Sequence, residues 1–224
     1  MATLLGARDG QPVAIEQESG ATPFPLVGEH ASNAFPESLD GLGLPDELKD
    51  SHIAWDIGAL LLSRRLCSGL DATLKYQRSS RLVYDCNRPP EVESVVLSIS
   101  EVFEVPGNLG PDGDARQARA DEIYLPSSSE LQRLFATRKA EYKPCPLVTI
   151  HDFTPVYERK HRDTEIGILV EGEAIFAGAV LRRRQRDGRR PDRDEIREAR
   201  HCLLAREKQS NAGGAECQNI PWKT

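Results

Sequence analysis

Short apolar runs alternate with helical periodicities through the first three quarters of the chain. Runs rich in β-branched residues and bounded by proline or glycine predict strands. Apolar residues that recur every three or four positions predict helices. We expect strands beginning at Leu26-Val27 and over residues 73–77, 82–85, 147–150 and 166–170, and helices over residues 51–68, 115–123 and 129–142. This order of elements is typical of an α/β fold around a mostly parallel sheet.

The helix over residues 51–68 has the clearest periodicity. Its apolar positions are Ile53, Ile57, Leu60, Leu61 and Leu66. Ser51 is its predicted N-cap, because a serine hydroxyl accepts hydrogen bonds from the free amides of a first helical turn. One of the serines at 127–129 is predicted to cap the helix over 129–142 in the same way. The first helix also carries His52, Trp55 and Asp56 in its first two turns, where side chains can face a site at the sheet edge.

Local composition divides the chain of 224 residues into three parts. Residues 1–22 are small, polar and aperiodic, which predicts a loose leader. Residues 23–181 are long enough for one α/β domain with an ample core. Residues 182–224 form an arginine-rich tail, since ten arginines stand against five acidic residues between positions 182 and 206. The tail has helical propensity over residues 192–207, and we expect disorder from Gln209 onward.

Composition limits the classes of function. The net charge is −6 and the pI is about 5.5, which argues against a nucleic-acid-binding protein. Five widely spaced cysteines without a Cys-x-x-Cys pair favour reduced thiols in a cytosol. No run approaches the roughly 18 apolar residues of a membrane span, and we see no signal peptide. We therefore predict a soluble cytoplasmic protein without a nucleic-acid or membrane partner; its oligomeric state does not follow from the sequence.

Two histidines stand at the ends of predicted strands. His30 follows the first strand and His151 follows the strand over residues 147–150. Parallel strands end at the same edge of a sheet, so we expect the two imidazoles to meet. With a carboxylate from Asp56, or less favourably from Glu29 or Asp152, they make the ligand set of a catalytic zinc that keeps a position open for water. The alternative is structural, with hydrogen-bonded histidines and Asp56 pairing on its own helix.

A second polar group follows the short element over residues 82–85. It consists of Arg81, Asp85, Asn87 and Arg88. Guanidinium groups beside an amide are suited to bidentate capture of a carboxylate. A surface ion pair between Arg81 and Asp85 is an equally good interpretation. Cys86 is a weaker candidate for a nucleophile, because no base stands beside it in the sequence.

Four ordered motifs carry a resemblance to a known family. They are EHASN at residues 29–33, HIAWDIGA at 52–59, SRLVYDCNRPP at 80–90 and VTIHDFTPVY at 148–157. Over about residues 24–170 the chain resembles the N-formylglutamate amidohydrolase family.

The resemblance implies a fold similar to that of the zinc carboxypeptidases, a three-layer α/β/α sandwich around a mixed sheet. It implies hydrolysis of N-formylglutamate to formate and glutamate, or of a related N-acyl acidic amino acid to its carboxylate and the amino acid, with a role in histidine catabolism. His30, Asp56 and His151 would bind Zn²⁺. Asn87 and Arg88 would hold the carboxylate of the small-molecule substrate, and Arg81 would assist them.

The end of the chain departs from the family pattern. Family members usually continue into a strand with a Glu-Ile-Arg sequence that supplies a general-base glutamate. Here Glu195-Ile196-Arg197 is a three-residue counterpart in a helical context, which makes Glu195 the candidate base. The alternative function is therefore a catalytically impaired homologue that lacks this base and acts as a binding module or a non-functional copy. A third interpretation is an interaction protein whose arginine run at 182–193 contacts an anionic partner, although such runs are mostly solvated.

Overall fold

The computed structural model describes residues 3–111, 113–141, 145–157, 159–163 and 167. The strands are β1 (Val13–Glu16), β2 (Leu26–Gly28), β3 (Leu74–Gln77), β4 (Ile99–Ser100), β5 (Phe103–Glu104), β6 (Val148–Thr149), β7 (Val156–Tyr157) and β8 (Lys160–His161). The α-helices are α1 (Asp46–Lys49), α2 (Ala59–Leu70), α3 (Gly113–Arg119) and α4 (Leu125–Glu141). Short 3-10 helices cover Glu37–Gly43, Glu93–Val95 and Pro106–Asn108. The strand predicted over 166–170 and the tail over 182–224 lie outside the described residues.

The central sheet is mixed and mostly parallel. Its order across the described strands is β1-β3-β2-β6. Strand β2 is parallel to both β3 and β6, whereas β1 runs antiparallel to β3 at the edge. The α/β class and the mostly parallel sheet predicted from the sequence are thus confirmed, and β2, β3 and β6 fall within or beside the predicted strands. The closer likeness to zinc peptidases stays a prediction.

Helices cover both faces of this sheet. Side chains alternate between the faces along a strand. Leu74 of β3 packs in one apolar cluster with Cys67 of α2, while the next residue, Lys75, donates a hydrogen bond to Ser127 of α4. Helices α2 and α4 therefore lie on opposite faces, which gives the three layers. None of the helices in the described part of the chain has the length and apolar character needed to cross a membrane.

The main hydrophobic core lies beside the sheet, beneath the loops and the helical run that begins at α3. Its buried members are Leu4, Leu42, Leu44, Ile53, Ala54, Leu82, Val83, Tyr84, Val95, Val96, Val105 and Ile123. A smaller cluster of Leu26, Cys67, Ala72 and Leu74 lies between α2 and the sheet. The loops that carry the polar residues described below are therefore anchored in packed apolar structure.

The N-terminal segment is part of the domain, so the expectation of a loose leader over residues 1–22 is wrong for most of it. Residues 13–16 form β1, and Leu4 is 7% exposed in the main core. The amides of Leu4 and Leu5 donate to the two carboxylate oxygens of Glu122, at 2.8 and 2.9 Å. The sequence of this segment is aperiodic and did not predict its packing, because the residues that it contacts are distant in the chain.

The helix predicted over residues 51–68 begins only at Ala59 and ends at Leu70. Residues 51–58 form turns whose backbone groups bind distant partners. The carbonyl of Ala54 accepts from the amide of Arg81 and from the hydroxyl of Ser80, and the amide of Asp56 donates to the carbonyl of His30 at 2.9 Å. Ser51 is not an N-cap, since its hydroxyl donates to the carbonyl of Leu48. Long-range hydrogen bonds therefore replace the helical ones at this end.

The two helices predicted over 115–123 and 129–142 are one helical run from Gly113 to Glu141. A π-helical turn over Ala120–Tyr124 joins α3 to α4, and Pro126 is the second residue of α4. A wider turn before a proline relieves the clash between its ring and the preceding turn. The serines at 127–129 consequently lie inside the helix and do not cap it.

The element predicted over residues 82–85 is not a strand. Residues 81–83 form a turn, in which the amide of Val83 donates to the carbonyl of Ser80. Leu82, Val83 and Tyr84 are nevertheless at most 1% exposed and belong to the main core. Their apolar character reflects this burial, and it fixes Asp85 directly after them.

Candidate metal centre

His30 emerges at the carboxyl end of β2. The three residues of β2 are buried, and Glu29 and His30 follow in a turn. His30 is itself only 4% exposed. Its carbonyl is held by the amide of Asp56, so the turn after β2 and the segment before α2 are tied together at this point.

His151 emerges at the same edge of the sheet. Strand β6 pairs in parallel with β2, with Leu26 opposite Val148 and Val27 opposite Thr149. The amide of Ile150 still donates to the carbonyl of Val27. The ring centroids of His30 and His151 are consequently 4.9 Å apart, with a T-shaped arrangement. The prediction that the two imidazoles meet is confirmed.

Asp56 lies between the two histidines. Its Oδ2 atom is 2.9 Å from Nδ1 of His151 and 3.5 Å from Nδ1 of His30, and it also accepts from the amide of Asp152. Within the described ranges, His30, Asp56 and His151 form the group that is able to hold a metal ion, with one ligand atom from each residue and all of these atoms within 4.8 Å of one another. The carboxylate of Asp152 instead accepts from the amide of Gly58.

These residues fit a small divalent cation. Zinc–nitrogen and zinc–oxygen bonds of about 2.0–2.1 Å in a tetrahedron place neighbouring donor atoms roughly 3.3 Å apart. The 2.9 and 3.5 Å separations at Asp56 fall on either side of that value. Nδ1 of His30 is buried and has no hydrogen-bond partner among the described residues. A buried polar atom without a partner calls for an explanation such as an ion.

Asp85 holds the far side of the His30 ring. Its Oδ1 atom is 2.8 Å from Nε2 of His30, and Asp85 is 2% exposed. The sequence suggested only an ion pair with Arg81 for this residue, and its role behind His30 was missed. Histidines that bind metals usually donate their other ring N–H to a carboxylate, so Asp85 leaves Nδ1 of His30 free for a ligand role.

The family model for N-formylglutamate amidohydrolases matches residues 22–191. The chain belongs to this family. It is also similar to a solved protein, the gene product Atu2144 from Agrobacterium tumefaciens, with 36% sequence identity and a TM-score of 0.79. That match covers 91% of this chain and 88% of the Agrobacterium protein. No curated protein matches the chain.

Arg81 and Arg88 gather around Asp85 in this N-formylglutamate amidohydrolase family member. Arg88 donates from Nε to Oδ2 of Asp85 at 2.8 Å and from Nη1 to the hydroxyl of Ser94. Arg81 is 3.5 Å from Oδ2 of Asp85 and 3.8 Å from Oδ1 of Asp56. Asn87 contributes its backbone amide to Oδ1 of Asp85. The ion pair of Arg81 with Asp85 therefore exists, but its carboxylate is buried rather than on the surface.

Charge is concentrated at this site. Burial acts to raise the pKa of Asp56, but the hydrogen bond from His151 and the nearby His30 outweigh it and hold that pKa well below its usual range. Burial likewise acts to raise the pKa of Asp85, and His30 and Arg81 outweigh it. For His30, burial and Arg81 act to lower the pKa, but Asp85 and Asp56 raise it to about 8. The carboxylates thus stay ionised beside the imidazole of His30, which favours a positive charge, and a proton and a cation compete for the same nitrogen of that ring.

The structure bears on the candidate nucleophile Cys86 but not on the candidate base Glu195. Desolvation raises the pKa of the Cys86 thiol to about 12, which leaves no thiolate at neutral pH. Glu195, the candidate base, lies outside the described residues. The arginine run over 182–193 lies outside them as well.

Proposed function

We propose that this protein is a metal-dependent amidohydrolase that cleaves the N-formyl, or another small N-acyl, amide of an acidic amino acid such as N-formylglutamate. The observation that supports it most directly is the buried group of His30, Asp56 and His151 at the carboxyl edge of the sheet. Membership of the N-formylglutamate amidohydrolase family supports the amide chemistry. Zinc is the ion that best suits two imidazoles and one carboxylate.

The proposed mechanism assigns a task to each residue of the site. His30, Asp56 and His151 would hold the cation. When bound, such a cation supplies a Lewis acid for the amide oxygen and lowers the pKa of a water towards roughly 7. Asp85 keeps the ring of His30 in one orientation. Glu195 stays our sequence-based candidate for the group that accepts the proton of the water and passes it to the leaving amine.

The arginines would bind the carboxylate end of the substrate. Their side chains are partly exposed, 25% for Arg81 and 40% for Arg88, while Asp85 fixes one side of each guanidinium. A guanidinium held on one side by a carboxylate keeps further N–H donors for a second one. Arg81 lies beside both Asp56 and Asp85, so an acidic amino acid bound there would present its amide towards the metal group. Asn87 would assist from the same loop.

The test combines metal analysis with product detection. The purified protein should contain about one zinc per chain by elemental analysis, and it should release formate from N-formyl-L-glutamate. Removing zinc with a chelator should abolish this activity, and adding zinc should restore it. His151→Ala should lose both properties, whereas His161→Ala should keep them, because His161 is an exposed histidine of the β7–β8 hairpin.

The opposite results are equally clear. Wild-type protein without bound metal, or His151→Ala with unchanged activity, would overturn the proposal. Saturable binding of N-formylglutamate to a zinc-loaded protein that releases no formate would favour the impaired, binding-only homologue.

A further inference from the structure

Glu29 is a buried carboxylate that the proposed mechanism does not use. It is 6% exposed and immediately precedes His30. Its Oε2 atom is 3.6 Å from Nε2 of His151. Within the described part of the chain, neither of these two buried atoms has a hydrogen-bond partner. Their separation is about 0.6 Å longer than a normal N–H···O hydrogen bond.

Glu29 lies beside the candidate metal group, next to His151. Glu29 does not belong to the group formed by His30, Asp56 and His151. The two nitrogens of an imidazole lie on different edges of the ring, and Nδ1 of His151 is the one beside Asp56. With Nδ1 of His151 as the ligand atom, Nε2 is left beside Glu29, 3.6 Å from its Oε2 atom.

His30 shows the same arrangement, with its outer carboxylate at hydrogen-bond distance. Nδ1 of His30 faces Asp56, while Nε2 of His30 is 2.8 Å from the carboxylate of Asp85. One nitrogen of each imidazole thus faces Asp56, which both histidines share. The other nitrogen faces a separate carboxylate, Asp85 for His30 and Glu29 for His151. Carboxylates in this outer position fix the tautomer and the orientation of a ligating histidine.

Lys75 supplies a reason for Glu29 to stay in place. Lys75 lies opposite Val27 in the parallel pairing of β2 with β3, and Glu29 follows Val27 by two residues, in the turn after β2. Lys75 is 2% exposed and donates a hydrogen bond to Ser127. Burial lowers the pKa of Lys75, and the negative charge of Glu29 opposes this. A buried ammonium needs a nearby anion, and Glu29 is one.

We propose that Glu29 is the positioning residue of His151, accepting a hydrogen bond from its Nε2, and that Lys75 is the cation that holds Glu29 for this purpose. The inference rests on the proposed function only in that His151 must be a metal ligand. Glu29 then acts on metal binding through His151 and does not contact the ion. On the other side of the site, Asp85 has the corresponding role for His30.

The experiment measures zinc affinity by competition with a chromophoric chelator, together with the Nε2–H signal of His151 by ¹⁵N NMR of the zinc-loaded protein. In zinc-loaded wild-type protein, with Nδ1 of His151 as the ligand atom, Nε2 should carry the proton and its N–H signal should be that of a hydrogen-bonded group. Glu29→Gln should weaken zinc binding by about 10- to 100-fold, the usual effect of losing an outer carboxylate, and should shift the Nε2–H signal of His151. Glu29→Asp should recover part of the affinity. The matched control is Glu47→Gln, because Glu47 is an exposed glutamate of the short helix α1.

The double variant Glu29→Gln with Lys75→Met separates positioning from stability. It removes both buried charges together, so it should unfold at a higher temperature than Glu29→Gln alone while its zinc affinity stays low. Zinc affinity that returns with stability would overturn the inference, and so would Glu29→Gln with wild-type affinity and an unchanged Nε2–H signal of His151. Wild-type protein that binds no zinc would overturn the proposed function as well, so the two failures are distinguishable.

Discussion

The two histidines of the candidate metal centre have similar partners but differ in how firmly those partners hold them. The side chain of His30 is 4% exposed, and its outer carboxylate is at hydrogen-bond distance, 2.8 Å. The side chain of His151 is 12% exposed, and its outer carboxylate is at 3.6 Å. Asp56 is common to both, but it lies 0.6 Å closer to His151, at 2.9 against 3.5 Å.

The difference comes from what stands behind each histidine. Asp85 follows the buried residues Leu82–Tyr84, its amide donates to the carbonyl of Val95 at 2.8 Å, and two arginines bind its carboxylate. Glu29 lies in a turn at the end of a three-residue strand, and the charge that supports it is that of Lys75. The His30 half is therefore held by the core before any ion binds, whereas the His151 half is held mainly through Asp56.

Asp56→Asn removes what the two halves share, so we expect the largest effect from it. Both histidines lose their common negative neighbour, and zinc affinity should fall by more than about 100-fold, beyond the usual cost of an outer-shell change. Elemental analysis of the purified variant measures this. Retention of a full complement of zinc would show that Asp56 is not a ligand.

Asp85→Asn should affect the His30 half of the site in two ways. Zinc affinity should fall by about 10- to 100-fold because His30 loses its orienting carboxylate. The free energy of unfolding should fall by roughly 1.5–3 kcal/mol, because hydrogen bonds from His30 and Arg88 to a charged oxygen become bonds to a neutral one. Zinc titration and urea denaturation measure the two effects.

The matched control for that variant is Asp121→Asn, since Asp121 is an exposed aspartate that accepts from Gln117 within one helix. It should change stability by less than about 0.5 kcal/mol. If Asp85→Asn and Asp121→Asn had the same zinc affinity and the same free energy of unfolding, the distinction between the two halves of the site would be wrong.

Arg88→Lys tests whether the His30 half of the site also binds substrate. An ammonium cannot reproduce the fork of a guanidinium, so KM for N-formyl-L-glutamate should rise about tenfold, equivalent to roughly 1.4 kcal/mol, with a smaller change in kcat. Steady-state kinetics on N-formyl-L-leucine, which lacks the side-chain carboxylate, provides a comparison substrate. Arg78→Lys is the control variant, because Arg78 binds the carbonyl of Gln11 near β1. A KM that rises equally in both variants would contradict a role in recognition.

Asp152→Asn should have the smallest effect. The carboxylate of Asp152 accepts from the amide of Gly58, which an asparagine oxygen also does, and the bond to Asp56 comes from the backbone. Zinc affinity measured by chelator competition should change by less than about threefold, within roughly 0.7 kcal/mol. A loss as large as that of Asp56→Asn would make Asp152 the ligand in its place.

The sequence was informative where local chemistry and topology coincide. The apolar runs before His30 and His151 predict parallel strands, and parallel strands force their following residues to one edge. Asp56 was chosen correctly as a neighbour of both, although the helix assigned to it starts three residues later, at Ala59. Its position depends on the bond from its amide to His30, which no periodicity reveals.

The missed residues are those defined by distant partners. Asp85 lies behind His30 because a turn replaces the expected strand, and Glu29 faces His151 across 122 positions of the chain. Lys75 and Ser127 meet only because the predicted helix break before residue 129 does not exist and α4 crosses the sheet at that point. Residue types suggested the chemistry of the site, but its outer partners could be identified only from the packing of the folded chain.

The attachment of the first residues to the helical run has a consequence for synthesis of the protein. The amide of Leu4 binds Glu122 across 118 positions, and β1 needs β3 as its neighbour. At about 5–20 residues per second, roughly 6–24 s pass between the synthesis of Leu4 and that of Glu122. The start of the chain therefore emerges long before its partners, and the main core closes around Leu4 only after the helical run has left the ribosome.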